Sequence, residues 1–233
     1  MLHSLKYGES KLIVEMFTRE AGRLSVAVPL PKSSKSRWKK QYFQPMTLLT
    51  IETDLRQRVQ LQKLTDARLT APYASVPFSP EKLAITLFIA EFLYHGLRSE
   101  QRNELLFDYV SDSMQWLDAA TQGYANFHLT FLMRLSRFLG FYPNLDDYSE
   151  GCVFDLRSGC FSTEVPVHRD FLPPAEARLI HLLMRMDFAT MHLFQLSHND
   201  RNRITAVLLQ YYQQHIPDFP ELRSLGVLRE LWC

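Results

Sequence analysis

The first seventy residues alternate apolar and polar side chains at a period of two, in four short runs. The runs are Lys11–Thr18, Arg23–Pro29, Thr47–Thr53 and Arg58–Leu64. Because successive side chains of a strand point to opposite faces, this alternation predicts half-buried strands. Gly22 lies between the first two runs, where a hairpin turn can use a positive φ. Short strands with tight turns favour a small barrel, and we expect an OB-fold β-barrel over residues 1–71.

The period changes beyond this stretch to the spacing of helices. Three prolines between residues 72 and 80 mark a linker that ends in a helix start. Ser79 is placed as the N-cap and Pro80 at the first helical position, and Glu81 follows in the turn where the helix dipole favours negative charge. We therefore expect a domain boundary here, with an all-helical C-terminal domain over residues 72–233.

Six segments of this second domain carry the helical spacing of apolar residues. The predicted helices are 83–92, 105–117, 127–140, Pro174–Asp187, Asp200–His215 and Glu221–Leu231. Ser197 and Asp200 have the spacing of a capping box before the fifth helix. Residues 144–170 are the exception, because they predict an irregular insertion with a short hairpin around Asp155–Cys160.

Composition changes this picture through the distribution of charge. The chain is 46% hydrophobic and 22% charged, which is typical of globular proteins and excludes disordered and collagen-like classes. Its net charge is only +1, but residues 1–72 hold 13 Lys and Arg against 6 Asp and Glu, a net +7. The remainder holds 13 against 19, a net −6. This asymmetry predicts that the two domains have different partners and that the partner of the first is polyanionic.

The sequence shows no sign of a membrane span or of secretion. No apolar run reaches the roughly 18 residues of a spanning helix, and no charged and apolar leader opens the chain. Three cysteines are too few for a disulfide framework. We therefore expect a cytoplasmic, nucleoid-associated protein in a reducing compartment.

Positive charge is concentrated in Pro31–Lys40, which has no acidic residue. Its basic residues are Lys32, Lys35, Arg37, Lys39 and Lys40, and Trp38 lies among them. Such a segment would capture a nucleic acid backbone, and aromatic faces beside it would stack on bases. The alternative is a solvated loop in which Trp38 and Phe43 cover the end of the barrel. The +7 charge of the first domain favours nucleic acid.

Motifs for catalysis and for metal binding are missing. The sequence has no GxxxxGK[ST], GxGxxG, GxSxG or HExxH, so nucleotide, serine-hydrolase and zincin chemistry have no support. Cys152, Cys160 and His168 are spaced more widely than zinc ligands usually are, and we predict neither metal nor cofactor. An enzyme, such as a metal-dependent nuclease, ranks below a binding protein because no second acid–base cluster supports the carboxylates Asp146, Asp147 and Glu150.

Taken in order, segments of the chain resemble the RecO family of bacterial recombination mediators and DNA repair proteins. The matching segments are Leu5–Ser10, Val14–Val28, Pro31–Ser36, Phe43–Leu49, Phe131–Leu145 and Asn202–Leu231. None is a catalytic fingerprint, so the specificity of the resemblance comes from the series, which spans nearly the whole chain.

The resemblance implies an N-terminal OB-fold, a helical C-terminal domain and a function without catalysis. RecO-like proteins bind single- and double-stranded DNA, anneal complementary strands, bind RecR, and help load RecA onto strands coated by single-strand-binding protein (SSB). Carried over by position, the basic residues of Pro31–Lys40 would contact DNA, and Lys11, Arg19 and Arg23 would extend that track.

Two features depart from the family pattern. Many members carry a four-cysteine zinc module after the segment that matches Phe131–Leu145, but this chain has only Cys152 and Cys160 there, so no zinc is expected. Members also usually have several residues before the segment that matches Leu2–Leu5. Part of the first barrel strand is therefore expected to be missing.

A protein-binding surface is predicted on the helix over residues 127–140. Thr130, Arg134 and Arg137 form a polar stripe, and the two arginines would receive the acidic, phenylalanine-ended tail of SSB. Ordinary surface ion pairs are the alternative for these arginines. For the whole protein, the alternative to a DNA-binding mediator is an adaptor that holds proteins through its helical domain, with only incidental binding of nucleic acid.

Overall fold

The computed structural model describes residues 1–31, 38–56 and 58–231. Its N-terminal part contains one five-stranded sheet, whose strands are β1 (His3–Tyr7), β2 (Lys11–Thr18), β3 (Gly22–Pro29), β4 (Leu48–Thr53) and β5 (Leu61–Ala71). They are ordered β1-β2-β3-β5-β4, with β3 and β5 parallel and the other neighbours antiparallel. The OB-fold is thus confirmed, and in the described residues its sheet stays open between β1 and β4.

Alternate apolar residues of these strands face the inside of the curved sheet. Val14 and Val26 are fully buried, and Trp38 and Phe43 pack against them from the segment between β3 and β4. The buried members of this core are Met1, Val14, Met16, Val26, Val28, Trp38, Phe43, Leu64 and Ala67. Because every second residue of β2 and β3 points inward, the residues between them form an outer face.

The observed strands follow the predicted alternation with specific differences. β2 has the predicted bounds, and β3 and β4 each differ at their first residue. β5 begins at Leu61 because Arg58 adopts a φ of 66°, which a strand does not contain. β1 is not among the strands that the alternation predicts, since four of its five residues are exposed. It pairs with Lys11–Glu15, whereas β2 continues to Thr18.

Two long helices follow the sheet, α1 (Pro80–Gly96) and α2 (Glu104–Ala119). The Ser79 side chain accepts a hydrogen bond from the Lys82 amide, and Pro80 occupies the first turn, so the predicted start of α1 is confirmed. By its contacts, the first compact unit consists of Met1–Ala119 and Leu222–Leu228. Helices α1 and α2 thus belong to the same compact unit as the sheet. The domain boundary at residue 72 stays a prediction.

The β2–β3 hairpin requires glycine at its turn for two reasons. Gly22 has a φ of 67°, which costs side-chain-bearing residues free energy, so the predicted turn is confirmed. A Cβ at this position would also lie 2.4 Å from the carbonyl carbon of Gln101, in the segment between α1 and α2. The neighbouring Arg23 amide donates to the Glu100 carbonyl at 3.0 Å. The turn is therefore held against the helical part of its own unit.

The second compact unit consists of Ala120–Glu221 and the residues from Arg229 onward. Its helices are α3 (Phe127–Phe138), α4 (Pro174–Met184) and α5 (His198–His215). The last described helix, α6 (Ser224–Arg229), lies in the first unit except for Arg229. The predicted capping box of Ser197 and Asp200 is present at the start of α5. Among the described residues, no helix combines the length and the apolar character that crossing a membrane requires.

The predicted insertion contains a small three-stranded sheet. Its strands are β6 (Val153–Asp155), β7 (Cys160–Ser162) and β8 (Phe171–Leu172), in the order β7-β6-β8. The hairpin of β6 and β7 confirms the one predicted around Asp155–Cys160. Two tyrosines of α5 hold the core of this unit, since the Tyr211 hydroxyl donates to the Phe141 carbonyl and the Tyr212 hydroxyl to the Leu132 carbonyl.

Candidate nucleic-acid interface

The outer face of the OB-type sheet is defined by its strand register. Tyr7 of β1 lies opposite Lys11 of β2, which lies opposite Pro29 of β3. The next row along the strands consists of Leu5, Ile13, Ala27 and Lys63. Directly opposed residues of neighbouring strands present their side chains on the same face. We call these two rows, which contain Leu5, Tyr7, Lys11, Ile13, Ala27, Pro29 and Lys63, the outer face.

Helices α1 and α2 cover the other end of the same side of the sheet. The rings of His3 and Tyr94 lie 4.6 Å apart, and the Arg23 guanidinium lies 4.7 Å from the centre of the Tyr94 ring. Phe17 packs against Phe107 of α2, with ring centroids 6.2 Å apart. The sheet therefore contacts its helices at one end, and Leu5 and Tyr7 remain exposed at the other.

A cleft opens where β3 and β5 separate. The two strands pair only between Ser25–Ala27 and 61–63. Beyond that point lies a cavity of about 790 Å³, which we call the β3–β5 cleft. Its described lining residues include Lys11, Asp54, Arg56 and Lys63, and Trp38 contributes to its wall. Among the described lining residues, three cations and one carboxylate leave a net positive charge.

Several cations of the first unit are exposed, and three of them, Lys11, Arg56 and Lys63, line the cleft. Lys11, Lys40, Arg56 and Lys63 are exposed, and within the described ranges no side-chain ion pair involves any of them. Lys39 is half-buried. Lys32, Lys35 and Arg37 lie outside the described residues. The described part of the predicted basic segment thus contributes Lys39 and Lys40 next to the buried Trp38.

Arg19 and Arg23, predicted to extend the DNA track, are engaged within the protein. The Arg19 guanidinium lies 2.9 Å from the Asp108 carboxylate and 3.6 Å from that of Glu104, both on α2. The Arg23 side chain donates to the Glu15 carboxylate at 3.0 Å and to the Tyr94 carbonyl at 3.1 Å. Their contact with DNA stays a prediction, whereas the ion pairs give both residues a structural role.

The aromatic residues near the basic segment are placed differently from one another. Trp38 and Phe43 are 6% and 4% exposed, and their rings lie 6.4 Å apart in the barrel core. Burial of both agrees with the alternative in which they cover the end of the barrel. On the outer face, by contrast, Tyr7 is 62% exposed.

Sequence reasoning did not single out three residues of this site. Lys63 lies in a predicted strand, and its alternation with the buried Gln62 and Leu64 already places it on the polar face. Tyr7 carries no local signal, because β1 has no buried partner residues to set a period. Arg56 lines the cleft because of the path that the chain takes between β4 and β5, and the local sequence does not indicate that path.

The predicted protein-binding stripe on α3 is only partly at the surface. Thr130 is fully buried, so it does not belong to an exposed stripe. The Arg134 guanidinium donates twice to the Met186 carbonyl, at 3.1 and 3.0 Å. Arg137 is exposed and stacks on Tyr142, with its guanidinium carbon 4.5 Å from the ring centre. Arg137 is therefore the more accessible of the two predicted cations.

The described residues bring together no group of three potential metal ligands. Cys152 is buried, and Cys160 is partly buried on β7. The carboxylates of Asp146, Asp147 and Glu150 are exposed in the loop before β6. That the chain binds no metal stays a prediction.

Comparison with known proteins gives a consistent family. Residues 1–73 match the family model described as Recombination protein O N terminal, and residues 77–225 match Recombination protein O C terminal. The DNA repair protein RecO of Phocaeicola vulgatus is 47% identical, and that of Bacteroides fragilis is 46% identical. The RecO protein of Flavobacterium psychrophilum is 33% identical. Each alignment covers 100% of this chain and 96% of the relative. The chain therefore belongs to the RecO family.

Proposed function

We propose that this protein acts in recombinational DNA repair as a mediator that binds single- and double-stranded DNA and anneals complementary strands. In this proposal it also helps load recombinase onto single strands coated by SSB. One observation carries the assignment: Lys11, Arg56 and Lys63 line the β3–β5 cleft, are exposed, and take part in no side-chain ion pair among the described residues. The relatives, which are named DNA repair proteins, support the same process.

The proposed binding is electrostatic in origin. A DNA strand carries condensed counterions, and a protein cation that contacts a phosphate releases them, which favours binding by entropy. Cations already paired with carboxylates, such as Arg19 and Arg23, contribute less free energy of binding, because a phosphate would have to replace the carboxylate. We therefore assign the principal phosphate contacts to Lys11, Lys40 and Lys63, together with the basic residues Lys32, Lys35, Arg37 and Lys39 of the preceding segment.

The proposed activity requires no covalent chemistry. Annealing requires that two negatively charged strands approach each other. Partial neutralisation of their phosphates by the protein lowers the electrostatic repulsion between the strands. We therefore propose that the protein is not an enzyme and works without a cofactor. Binding, release and the geometry of the bound strands would be sufficient for its function.

We propose protein partners for the second unit. A RecR-like protein and the tail of SSB are the direct partners, and RecA is an indirect one. The acidic tail requires accessible cations, and Arg137 is exposed at the surface. Arg134 donates two hydrogen bonds to the Met186 carbonyl, and its third guanidinium nitrogen takes no part in those two bonds. A charge-assisted contact with a carboxylate would then form at Arg137 first.

The first test of DNA binding compares two faces of the same sheet. The double variant Lys11→Ala/Lys63→Ala removes two cations of the outer face, and Lys6→Ala is the matched control because Lys6 is exposed on β1 and alternates with Tyr7 to the opposite face. We expect the slope of log affinity against log salt to flatten by about 0.7 for each lost contact with a single strand. Fluorescence anisotropy of a labelled oligothymidine across a salt series measures this slope.

The control variant should keep the wild-type slope. Equal slopes for all three proteins would contradict the assignment of the DNA site to this face. If the wild type itself binds neither single- nor double-stranded DNA, the mediator proposal fails and the adaptor alternative is favoured. Circular dichroism establishes that each variant is folded.

A further inference from the structure

We propose that Tyr7 and Leu5 form a platform on which an unpaired base stacks, while Lys11 and Lys63 hold phosphates of the same strand. This inference rests on the proposed DNA binding and deepens it, because it names the face of an unpaired base as a feature that the protein recognises. The predicted ligand of the outer face is therefore a single strand.

Exposure is the first argument for the platform. Tyr7 is 62% and Leu5 57% exposed, on a strand whose other end is covered by α1. Exposed large apolar side chains that lie side by side often mark a binding surface. Every base has an aromatic face, and base stacking on protein rings is a common mode of single-strand binding.

Charge complementarity is the second argument. Tyr7 lies directly opposite Lys11, so their Cβ atoms are neighbours at the distance of a cross-strand pair, about 5 Å. Lys63 lies three strand spacings from β1, roughly 14 Å across the sheet. The acidic residue in the next row, Glu15, is paired with Arg23 and accepts a hydrogen bond from Ser25, so it does not repel an approaching phosphate strongly. A base on Tyr7 would thus have cations beside its own backbone and further along the strand.

Trp38 and Phe43, the buried aromatic residues near the basic segment, do not offer this surface. Trp38 and Phe43 are in the barrel core, and stacking on either ring would require the core to open. A duplex also cannot use the platform, because its base faces are covered by their neighbours in the stack. The exposed ring of Tyr7 therefore adds a preference for single strands to the charge-driven binding of any DNA.

The experiment compares Tyr7→Ala with Tyr7→Phe and with Phe78→Ala, a matched loss of an exposed aromatic residue that is 82% exposed outside the sheet. The probes are a labelled oligothymidine, the same strand with abasic sites, and a duplex. We expect Tyr7→Ala to weaken oligothymidine binding about fivefold or more, with an unchanged salt slope and unchanged duplex affinity. Tyr7→Phe and Phe78→Ala should bind like the wild type, and the abasic strand should not distinguish Tyr7→Ala from the wild type.

Two results would overturn the platform while leaving the proposed DNA binding intact. One is unchanged oligothymidine affinity in Tyr7→Ala, which would leave the exposed patch to a protein partner. The other is an equal loss for oligothymidine, abasic strand and duplex, which indicates a general effect on the fold. If wild-type protein binds no single strand, both the proposed function and this inference fail.

A second measurement uses the unmodified protein and does not depend on how a variant folds. A strand that contains 5-iodouracil crosslinks on irradiation to an aromatic ring on which the base stacks. We expect the crosslink to map to the peptide that contains Tyr7. A crosslink found only in other peptides would contradict the platform.

Discussion

At the scale of single residues, His128 shows how burial sets a protonation state. Its Nε2 lies 3.2 Å from the Thr205 hydroxyl, which itself donates to the Arg201 carbonyl. Because that hydroxyl has used its proton, it accepts, and the Nε2 atom of His128 carries the hydrogen. Complete burial, together with the nearby positive charge of Arg201, lowers the pKa of His128 to about 3. The folded protein therefore holds this imidazole neutral.

We expect this histidine to destabilise the fold as the pH falls. The unfolded chain takes up a proton below a pKa of about 6.5, while the folded chain does not until about pH 3, so the free energy of unfolding decreases by up to about 1.4 kcal/mol per pH unit between these values. His128→Gln removes the titrating group. Urea unfolding at pH 7.5 and pH 5 should show a loss of about 2 kcal/mol more in the wild type than in the variant.

The other seven histidines contribute equally to both proteins, so the comparison isolates His128. His128→Gln is itself expected to be less stable than the wild type at pH 7.5, because the core is disturbed. An equal pH dependence in the two proteins would show that the imidazole is accessible to protons in the folded state.

At the scale of elements, the segment between β5 and α1 is held by one carboxylate at the end of α2. The side chain of Asp118 accepts from the backbone amides of Ala74, Ser75 and Val76, each at 2.8 Å. Its backbone carbonyl accepts from the Lys82 ammonium at 2.9 Å. Burial alone would raise the pKa of Asp118, but the hydrogen bonds from these backbone amides outweigh it and hold the pKa below its ordinary value.

Replacement of this carboxylate should lower the stability of the first unit. We expect Asp118→Ala to lower the free energy of unfolding by about 2–4 kcal/mol, because three amides lose a charged acceptor and Lys82 loses a nearby negative charge. Asp118→Asn, which keeps one acceptor oxygen, should lose less. Since the folded pKa is lowered, the stabilisation is present above the ordinary carboxyl pKa and is lost as the pH falls below it. Urea unfolding of the three proteins at pH 7 tests this, and equal stabilities would contradict it.

Elements with a local signal were predictable from the sequence, and contacts between distant residues were not. The N-cap at Ser79 and the capping box at Ser197 involve neighbours within three residues, so their residue types alone predict them. The pairing of Arg19 with Asp108 joins residues 89 positions apart. No pattern near Arg19 reveals that its charge is neutralised by α2. The candidate site therefore needed the structure to separate exposed cations from those that serve the fold.

At the scale of the whole molecule, the uneven charge acquires a more specific meaning. The +7 of residues 1–72 includes Arg19, which pairs with Asp108 and Glu104 of α2. Part of the excess is therefore neutralised inside the first compact unit. What remains at the outer face and the β3–β5 cleft is a small group of lysines and Arg56. Annealing is then expected to depend on few residues rather than on total charge.

This dependence can be measured with two complementary oligonucleotides that carry a donor and an acceptor fluorophore. We expect the wild type to accelerate duplex formation at low salt and to lose that effect as salt screens its lysines. Lys11→Ala/Lys63→Ala should accelerate annealing severalfold less, while Lys6→Ala, with one positive charge removed from the opposite face of the same sheet, should match the wild type. A loss in the control of about half that in the double variant, in proportion to the one and two charges removed, would show that total charge governs annealing. Full annealing by the double variant would place the DNA contacts outside the outer face, and the protein's lysines there would then be free to serve a different partner.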